Sequence, residues 1–170
     1  MTTVSIRLAE RRHLPDIPKI ELAGAAMFSE MDLPQTVRHR VTPTSCLEEA
    51  RNAQRLWVAE DDEKIVGFAA ASIVDDSAYV DEIDVIPEFG RRGVGTRLVA
   101  TVADWARAEN FPDLTLITFS HLPWNAPFYE KLGFERMDST EHGMELTGLI
   151  EEERRIGINT ANRVAMRLNL

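Results

Sequence analysis

The pattern of apolar and polar positions along the chain predicts short strands with a few helices between them. Residues 4–8 alternate apolar and polar side chains, as a strand with one buried face does. Further strands are predicted at residues 56–60, 65–74, 79–85, 114–119, 134–137 and 163–169. Helices are predicted at residues 13–27 and 45–54, from the glycine-rich segment to Asn110, and as a short stretch within 123–132.

Two stretches lack a clear period. Residues 31–43 are expected to be irregular, and the polar residues 139–162 are expected to hold no more than a helical turn near residues 149–155. Ser45 is followed by Glu48 at the spacing of a capping box, which predicts that Ser45 caps the helix behind it.

The order of these elements predicts one mixed sheet. The strands between residues 56 and 85 follow each other closely, which indicates antiparallel hairpins, and a strand–helix–strand crossover comes next. This order is typical of an α/β (α+β) fold with a mixed central sheet, antiparallel N-terminal strands and flanking helices. Because no repeat or linker is visible, residues 1–170 are expected to form a single domain.

Composition narrows the function. With 28 acidic and 19 basic residues among 170, the net charge of −9 argues against a general nucleic-acid partner or an anionic membrane partner. Cys46, the single cysteine, cannot form an internal disulfide, and the histidines lack metal-ligand spacing, so no metal is expected. The opening MTTVSIRLAERR has no apolar leader segment, and the apolar run at residues 68–74 is too short to span a bilayer, so a cytoplasmic protein is expected.

The segment from Val85 to Thr96 carries the strongest chemical signal. It places Gly90-Arg91-Arg92-Gly93-Val94-Gly95 between a predicted strand and a predicted helix. Glycines let several backbone N–H groups turn into one concavity, and a helix N-terminus adds positive potential, so the segment suits a pyrophosphate. A plain connecting turn is the alternative. Neither GxGxxG nor Gly-Lys-Ser/Thr is present, which argues against NAD or ATP bound in those modes.

This segment resembles the acetyl-CoA motif of the GNAT superfamily of N-acetyltransferases. Downstream, the run Pro127-Phe128-Tyr129-Glu130-Lys131-Leu132-Gly133-Phe134 is similar to the FYEKLGF helix of the same family, and the two motifs flank the strand at 114–119 in the family's order. The resemblance implies an acetyl-CoA-dependent acyltransferase with acetyl-CoA as co-substrate. It places these residues around the pyrophosphate of coenzyme A: Arg91, Arg92, Gly93, Val94, Gly95 and Thr96.

The resemblance also implies roles near the thioester. Tyr129 corresponds to the general acid that protonates the leaving thiolate, a role that suits a phenol still protonated at neutral pH. The backbone of Ile83, Asp84 and Val85 corresponds to the strand that pairs with the pantetheine arm, and the N–H near Val85 to the oxyanion donor. Where the family often has asparagine, seven residues before the tyrosine, this chain has a leucine, and Asn125 is the cofactor-binding candidate nearby.

The general base is sought on the strand at residues 79–85. Strict alternation would put Asp81 on one face with Ile83 and Val85, and Glu82 on the other with Val80 and Asp84. Asp81 and Glu82 are both candidates, and only one of them could then face the amine. Each is explained as well by a solvated strand charge. The whole acidic stretch from residue 75 to 84 is either a rim that attracts a cationic amine or a solvated hairpin edge.

The resulting hypothesis is transfer of the acetyl group of acetyl-CoA to a primary amine, of a small molecule, by direct attack. Two alternatives stay open: a non-catalytic acyl-CoA-binding sensor, and a protein or peptide N-acetyltransferase. Phe28, Met31 and Trp124 are candidates for the wall of the acceptor pocket, whereas His121 is expected to be a loop residue. A homodimer is the one macromolecular partner considered.

Overall fold

The computed structural model describes residues 4–170. Its strands are β1 (Ser5–Leu8), β2 (Leu56–Asp61), β3 (Lys64–Val74), β4 (Ser77–Val85), β5 (Asp113–Phe119), β6 (Glu135–Arg136) and β7 (Arg163–Asn169). They form one sheet in the order β1-β2-β3-β4-β5-β7-β6. The first four strands are antiparallel, β4 and β5 are parallel, and β7 lies antiparallel between β5 and β6. The predicted mixed sheet with its antiparallel N-terminal part is confirmed.

The helices are α1 (Ile17–Ala25), α2 (Gln35–Arg38), α3 (Thr44–Asn52), α4 (Val94–Ala108), α5 (Ala126–Lys131) and α6 (Met144–Arg155). The first predicted helix is in fact a 3-10 turn, Arg11–Asp16, followed by α1. Pro15 lies inside that turn and Pro18 in the first turn of α1, where the missing N–H of a proline costs no helical hydrogen bond.

The helices cover both faces of the sheet. On one face, α4 buries Val94, Leu98 and Val102 in the main core, because their spacing puts them on one side of the helix. On the other face, α1 packs Ile17 and Ile20 against Phe68 of β3, and Leu14 of the preceding 3-10 turn joins them. Farther along this second face, α6 buries Leu146 beside Tyr79 of β4.

The sheet opens between its two parallel strands. β4 and β5 pair only at Ala78 with Leu114 and at Tyr79 with Thr115. Beyond these pairs β4 continues along β3 to Val85, while β5 continues along β7 to Phe119. The two strands therefore separate, and the backbone edges that face each other across the gap are free to accept a ligand.

Three local predictions are corrected by the structure. The stretch at residues 31–43 contains the short helix α2. The capping box at Ser45 does not form, because α3 already starts at Thr44 behind the extended Pro43 and no side chain caps it.

The third correction concerns the polar stretch after residue 139, where α6 is a full helix of 12 residues. Asp75, in the β3–β4 turn, accepts hydrogen bonds from the N–H groups of Glu145 and Leu146, both at 2.9 Å. This cap comes from a residue far away in the sequence, so no local pattern could reveal it. Asp75 thus belongs to the helix cap and not to an acidic rim.

Candidate active site

The glycine–arginine segment forms the entrance to α4. Gly93 is the N-cap of α4 and has a φ of +79°, in the left-handed region that favours glycine. Arg91 also has a positive φ, 56°. These two residues turn the chain sharply out of β4 into the helix. The guanidinium of Arg92 lies over the ring of Phe89, 5.0 Å from its centroid.

The backbone N–H groups of residues 91–96 donate to no acceptor within residues 4–170. Only their neighbours are bonded: Gly90 N–H donates to Pro87 O at 3.0 Å, and Arg97 N–H donates to Gly93 O at 3.1 Å. A Cβ built on Gly93 would meet nothing within 4 Å, so the bend is open. Free donors at the start of a long helix, strengthened by the helix dipole, form a binding site for an anion such as a phosphate.

A cavity of about 410 Å³ fills the gap between β4 and β5. Its lining includes β4 from Val80 to Asp84 and β5 from Leu116 to Phe119, with further walls from α1, α5 and the segment before α3. Of the three predicted strand positions, Ile83 and Asp84 line this cavity. Val85 lies beyond it and pairs with Gly67 of β3.

Tyr129 and Asn125 reach the same cavity from α5. Tyr129 is 8% exposed and packs edge-on against Phe128 and Phe134. Burial raises the pKa of Tyr129 well above its usual range, and the nearby charge of Asp84 raises it further, so the phenol is protonated at neutral pH. The side-chain oxygen of Asn125 is buried and has no hydrogen-bond donor in the described chain, so it can accept one from a ligand.

A β-bulge at Asp81 decides which side chains of β4 share a face. Val80 and Glu82 pair with consecutive residues of β3, so Asp81 between them has no partner there. Alternation restarts after the bulge, and Val80 shares the α4-side core with Ile83. Glu82 and Asp84 lie on the other face, towards α1. Strict alternation is therefore right in placing Glu82 with Asp84 and Ile83 with Val85, and wrong in placing Val80 with Glu82, because the inserted residue reverses the pattern before the bulge.

Glu82 and Asp84 form a carboxyl pair that is completed by Glu21 of α1. Glu82 lies within hydrogen-bonding reach of both. Burial, followed by the charge of Asp84 and then that of Glu21, raises the pKa of Glu82 well above its usual range. Burial also raises the pKa of Asp84, to about 6. Both shifts favour the protonated forms, so the two carboxyl groups titrate together and closer to neutral pH than free carboxyl groups do.

Asp81, the other predicted base, also lines the first cavity, but its side-chain partner in the described chain is Ser72 and not a second carboxylate. It is exposed and accepts a hydrogen bond from Ser72 Oγ at 2.7 Å. It lines a second cavity of about 370 Å³ beside α3, in which Glu82 and Thr42 also take part. The structure thus brings Glu82, but not Asp81, against the second carboxylate that shifts its protonation.

The wall of the first cavity opposite the sheet is apolar. Ala25, Phe28, Leu33, Val37 and Val41 contribute to it. Phe28 contacts Phe119 of β5, with ring centroids 5.3 Å apart, and Trp124 at 6.2 Å. Met31 is 87% exposed and is not part of the lining. Of the three predicted wall residues, Phe28 lines the cavity, Trp124 contacts Phe28, and Met31 lies on the surface.

Ionic contacts hold the rim of this wall. His121 Nε2 lies 3.0 Å from Asp32 Oδ1, and Ser29 Oγ donates to the other oxygen of Asp32 at 2.7 Å. Arg163 of β7 lines the cavity, donates to both oxygens of Glu153, and lies 4.4 Å above the Phe119 ring. His121 therefore connects the loop after β5 to the loop after α1.

Two carboxylates of the candidate site could not be assigned by reading the sequence. Glu21 lies in an amphipathic helix that carries no motif, and Asp84 was assigned through its backbone alone.

Within residues 4–170 no group of three or more His, Cys, Asp or Glu side chains is arranged to hold a metal ion. In the same range no helix is long and apolar enough to cross a membrane.

Known proteins share parts of this architecture. Over 83 residues the chain is 34% identical to the probable N-acetyltransferase camello of Xenopus tropicalis, a match that covers 47% of this chain and 38% of the relative. The chain thus spans less than two fifths of the length of the curated relatives that it matches.

Solved structures match over nearly the whole chain. N-acetylglutamate synthase from Neisseria gonorrhoeae, complexed with coenzyme A and N-acetyl-glutamate, has a TM-score of 0.74 at 21% identity and covers 100% of this chain and 36% of its own. The PaiA N-acetyltransferase from Thermoplasma acidophilum, in complex with coenzyme A, has a TM-score of 0.72 at 15% identity and covers 99% of each chain. At these identities the likeness establishes the fold.

The family itself is established by sequence. The profile of the Acetyltransferase (GNAT) family matches residues 22–134, which include the end of α1, the glycine–arginine segment, β4, β5 and α5. The chain belongs to the GNAT family of acetyltransferases.

Proposed function

We propose that this chain transfers the acetyl group of acetyl-CoA to a primary amine of a small molecule. The observation that carries the proposal is the position of the Glu82–Asp84 pair and Tyr129 on one cavity, at the point where β4 and β5 separate. A proton acceptor and a protonated phenol on one cavity are what amide formation from a thioester requires. Membership of the GNAT family supports acetyl-CoA as the donor.

The donor would be held at two places. The free N–H groups of residues 91–96 suit its pyrophosphate, and the unpaired edge of β4 suits the amides of its pantetheine arm. Asn125 offers a buried acceptor to the same arm. This arrangement would bring the thioester to the end of the gap, beside Tyr129.

The chemistry needs two proton transfers. The neutral acceptor amine attacks the thioester carbonyl, whose oxygen takes up the negative charge, and the positively charged nitrogen of the tetrahedral intermediate gives one proton to the Glu82–Asp84 pair. When the tetrahedral intermediate collapses, the carbon–sulfur bond breaks and the thiolate takes the proton of Tyr129. The products are the N-acetylated amine and free coenzyme A, and solvent returns the proton from the pair to the phenol.

The two proton transfers are coupled through charge. The negative charge of Asp84 is one of the causes that raise the pKa of Tyr129. Once the pair has accepted the amine proton, that charge is neutralised, and Tyr129 becomes a stronger acid at the stage when the thiolate leaves. The resting site therefore keeps the phenol protonated, and the reaction itself makes its proton available.

The small-molecule class is favoured by the covering of the cavity. The apolar residues from Phe28 to Val41 cover one side of the space beside the carboxyl pair, and a cleft of about 410 Å³ has the size of a small-molecule site. Proteins that this chain resembles include one that was solved with N-acetyl-glutamate, which is itself a small acetylated amine.

Thiol release and coenzyme binding together test the proposal. The purified chain is assayed with acetyl-CoA and a panel of small amines, and Tyr129→Phe and Asn52→Ala, a surface control, are run beside it. We expect release with at least one amine, a loss of about 10²–10⁴-fold in kcat for Tyr129→Phe, and calorimetric binding of coenzyme A in all three. Coenzyme binding without release by the wild-type protein on any amine would support the sensor, and acetylation of peptides alone would support the protein-modifying enzyme.

A further inference from the structure

We infer that Glu21 is a positioning residue for the proton acceptor. Its carboxylate holds Glu82 in place from the α1 side, and it also holds the apolar wall of the first cavity in place. The inference rests on the proposed function, because it assigns a role within that site. It is drawn from the packing of α1 against β4, from the hydrogen bonds of the Glu21 carboxylate and from the absence of a cation beside it.

Helix α1 brings a specific face against the carboxyl pair. Ile17 and Ile20 are 0% and 3% exposed and anchor the helix on the sheet. Glu21 follows directly and is only 5% exposed, and Gly24 lies about one turn later. A Cβ on Gly24 would lie 2.6 Å from Asp84 Oδ1, so the helix backbone touches that carboxylate. Residues one turn apart on α1 thus meet the two members of the pair.

The Glu21 carboxylate has a second partner in the acceptor wall. The N–H of Thr42 donates to both of its oxygens, at 3.0 and 3.1 Å. Thr42 ends the stretch that contributes Val37 and Val41 to the apolar wall, and it borders both cavities. Any shift of Glu21 would therefore move the wall and the proton acceptor together.

Pairing with a cation does not explain a carboxylate at this place. No Lys, Arg or His nitrogen forms a salt bridge with Glu21 among residues 4–170. A buried carboxylate without a cation is costly, and placing it beside another carboxyl group adds repulsion. Proteins accept such a destabilising arrangement mainly at functional sites. Here the repulsion between the two carboxyl groups favours the protonated form of Glu82.

Other charged groups also face Glu82, so the effect of Glu21 must be separable from theirs. From β4 these are Asp81 and Asp84, and across the two cavities they are Arg40, Arg55, Glu49, Tyr129 and Arg163. Of these, Asp84 is the only one besides Glu21 within hydrogen-bonding reach of Glu82 in the described chain. Glu49 lines the second cavity without such a contact and provides a matched control.

Glu21→Gln separates the charge of Glu21 from its shape. The amide oxygen can still accept from Thr42 N–H, so the wall stays in place, while the negative charge beside Glu82 is lost. With the best amine from the panel, we expect the rise of kcat/KM with pH to move about one pH unit towards acid, because the pair then releases its proton more easily. Glu49→Gln should leave the profile in place. Glu21→Ala should in addition raise KM for the amine several-fold.

A second measurement does not need activity. The Glu82 carboxyl carbon is followed by ¹³C NMR through a pH titration, in the wild type and in Glu21→Gln, with Glu82→Gln used to assign the signal. The Glu82 midpoint should fall by about one pH unit in the Glu21 variant. An unchanged midpoint, or an unchanged pH profile in an active Glu21→Gln, would overturn the inference. A wild type that acetylates no amine would instead overturn the proposed function, and the titration would still decide the role of Glu21.

Discussion

Gly24→Ala tests the contact between α1 and the carboxyl pair with a single added methyl group. Its Cβ would lie 2.6 Å from Asp84 Oδ1 and 2.8 Å from Asp84 Cγ. Ordinary contact begins at 3.4 Å, so the carboxylate or the helix must move by roughly 0.8 Å. Asp84 has the Glu82 carboxyl group beside it, so turning away from α1 would disturb the pair.

Two opposing free energies set the expected size of the effect. Replacing glycine by alanine in a helix stabilises the fold by about 0.5–1 kcal/mol. Overpacking of this kind costs about 1–3 kcal/mol, so the net result should be a loss of about 1 kcal/mol. For a chain of this size that corresponds to a melting temperature lower by about 2–4 °C. Displacing the proton acceptor by close to 1 Å should also lower kcat by about 10–100-fold.

Gly148→Ala is the matched control, because Gly148 also lies inside a helix but its Cβ would meet nothing within 4 Å. It should raise the melting temperature by about 1–4 °C and leave activity unchanged. Calorimetric melting and thiol release, measured on both variants and the wild type, test whether α1 contacts Asp84. If Gly24→Ala proves as stabilising as Gly148→Ala and fully active, α1 does not touch Asp84 and the reasoning from that contact is refuted.

Two further glycines test other parts of the molecule. Gly93→Glu adds bulk and negative charge to the bend that holds the free N–H groups, so coenzyme A affinity should fall more than tenfold, whereas Gly93→Ala carries only the backbone strain of its positive φ and should lose far less. Equal calorimetric affinities in the two variants would place the phosphates elsewhere. Gly143→Ala would put a Cβ 2.2 Å from Asp75 Cγ and displace the cap of α6, so urea unfolding should show a loss of about 1–3 kcal/mol with coenzyme affinity unchanged. A variant as stable as the wild type would show that this cap contributes nothing.

The fold could be predicted from the sequence wherever neighbouring residues determine the secondary structure. Period-2 alternation located β1 and β7, and the single apolar face of α4 located the helix that fills the main core. The errors lie where distant residues decide. Helix α6 depends on a cap from Asp75, in a turn some 70 residues earlier, and its own sequence is too polar to announce its length.

The candidate site shows the same division. The loop at residues 91–96 and Tyr129 could be located because each belongs to a contiguous motif that resembles a known family. For the proton acceptor the sequence predicted two candidates, Glu82 and Asp81, and could not choose between them, since a bulge at Asp81 and the contact with Glu21 of α1 depend on distant residues. Bulges and contacts between distant elements leave no periodic signal, and they decide here which carboxylates meet.

The buried carboxyl pair also makes stability depend on pH, with a sign that can be worked out. Because the pKa of Asp84 is raised from 3.8 to about 6, and that of Glu82 is raised as well, the folded chain keeps protons that the unfolded chain releases. The resulting stability is fully present below about pH 4 and is lost as the pH rises through 6. For Asp84 alone the loss of stability is at most about 3 kcal/mol, and less to the extent that cavity water reaches the carboxylate.

Glu82→Gln keeps the shape and the hydrogen bonds of protonated Glu82 but has no proton to lose. Urea unfolding between pH 5 and pH 8 should therefore show a fall in the wild type that exceeds that of Glu82→Gln by about 1–3 kcal/mol. Parallel stability curves would mean that the pKa of Glu82 is the same in the folded and unfolded chains. The pair would then not be coupled, and the folded site would hold no carboxyl group whose pKa is raised for accepting the amine proton.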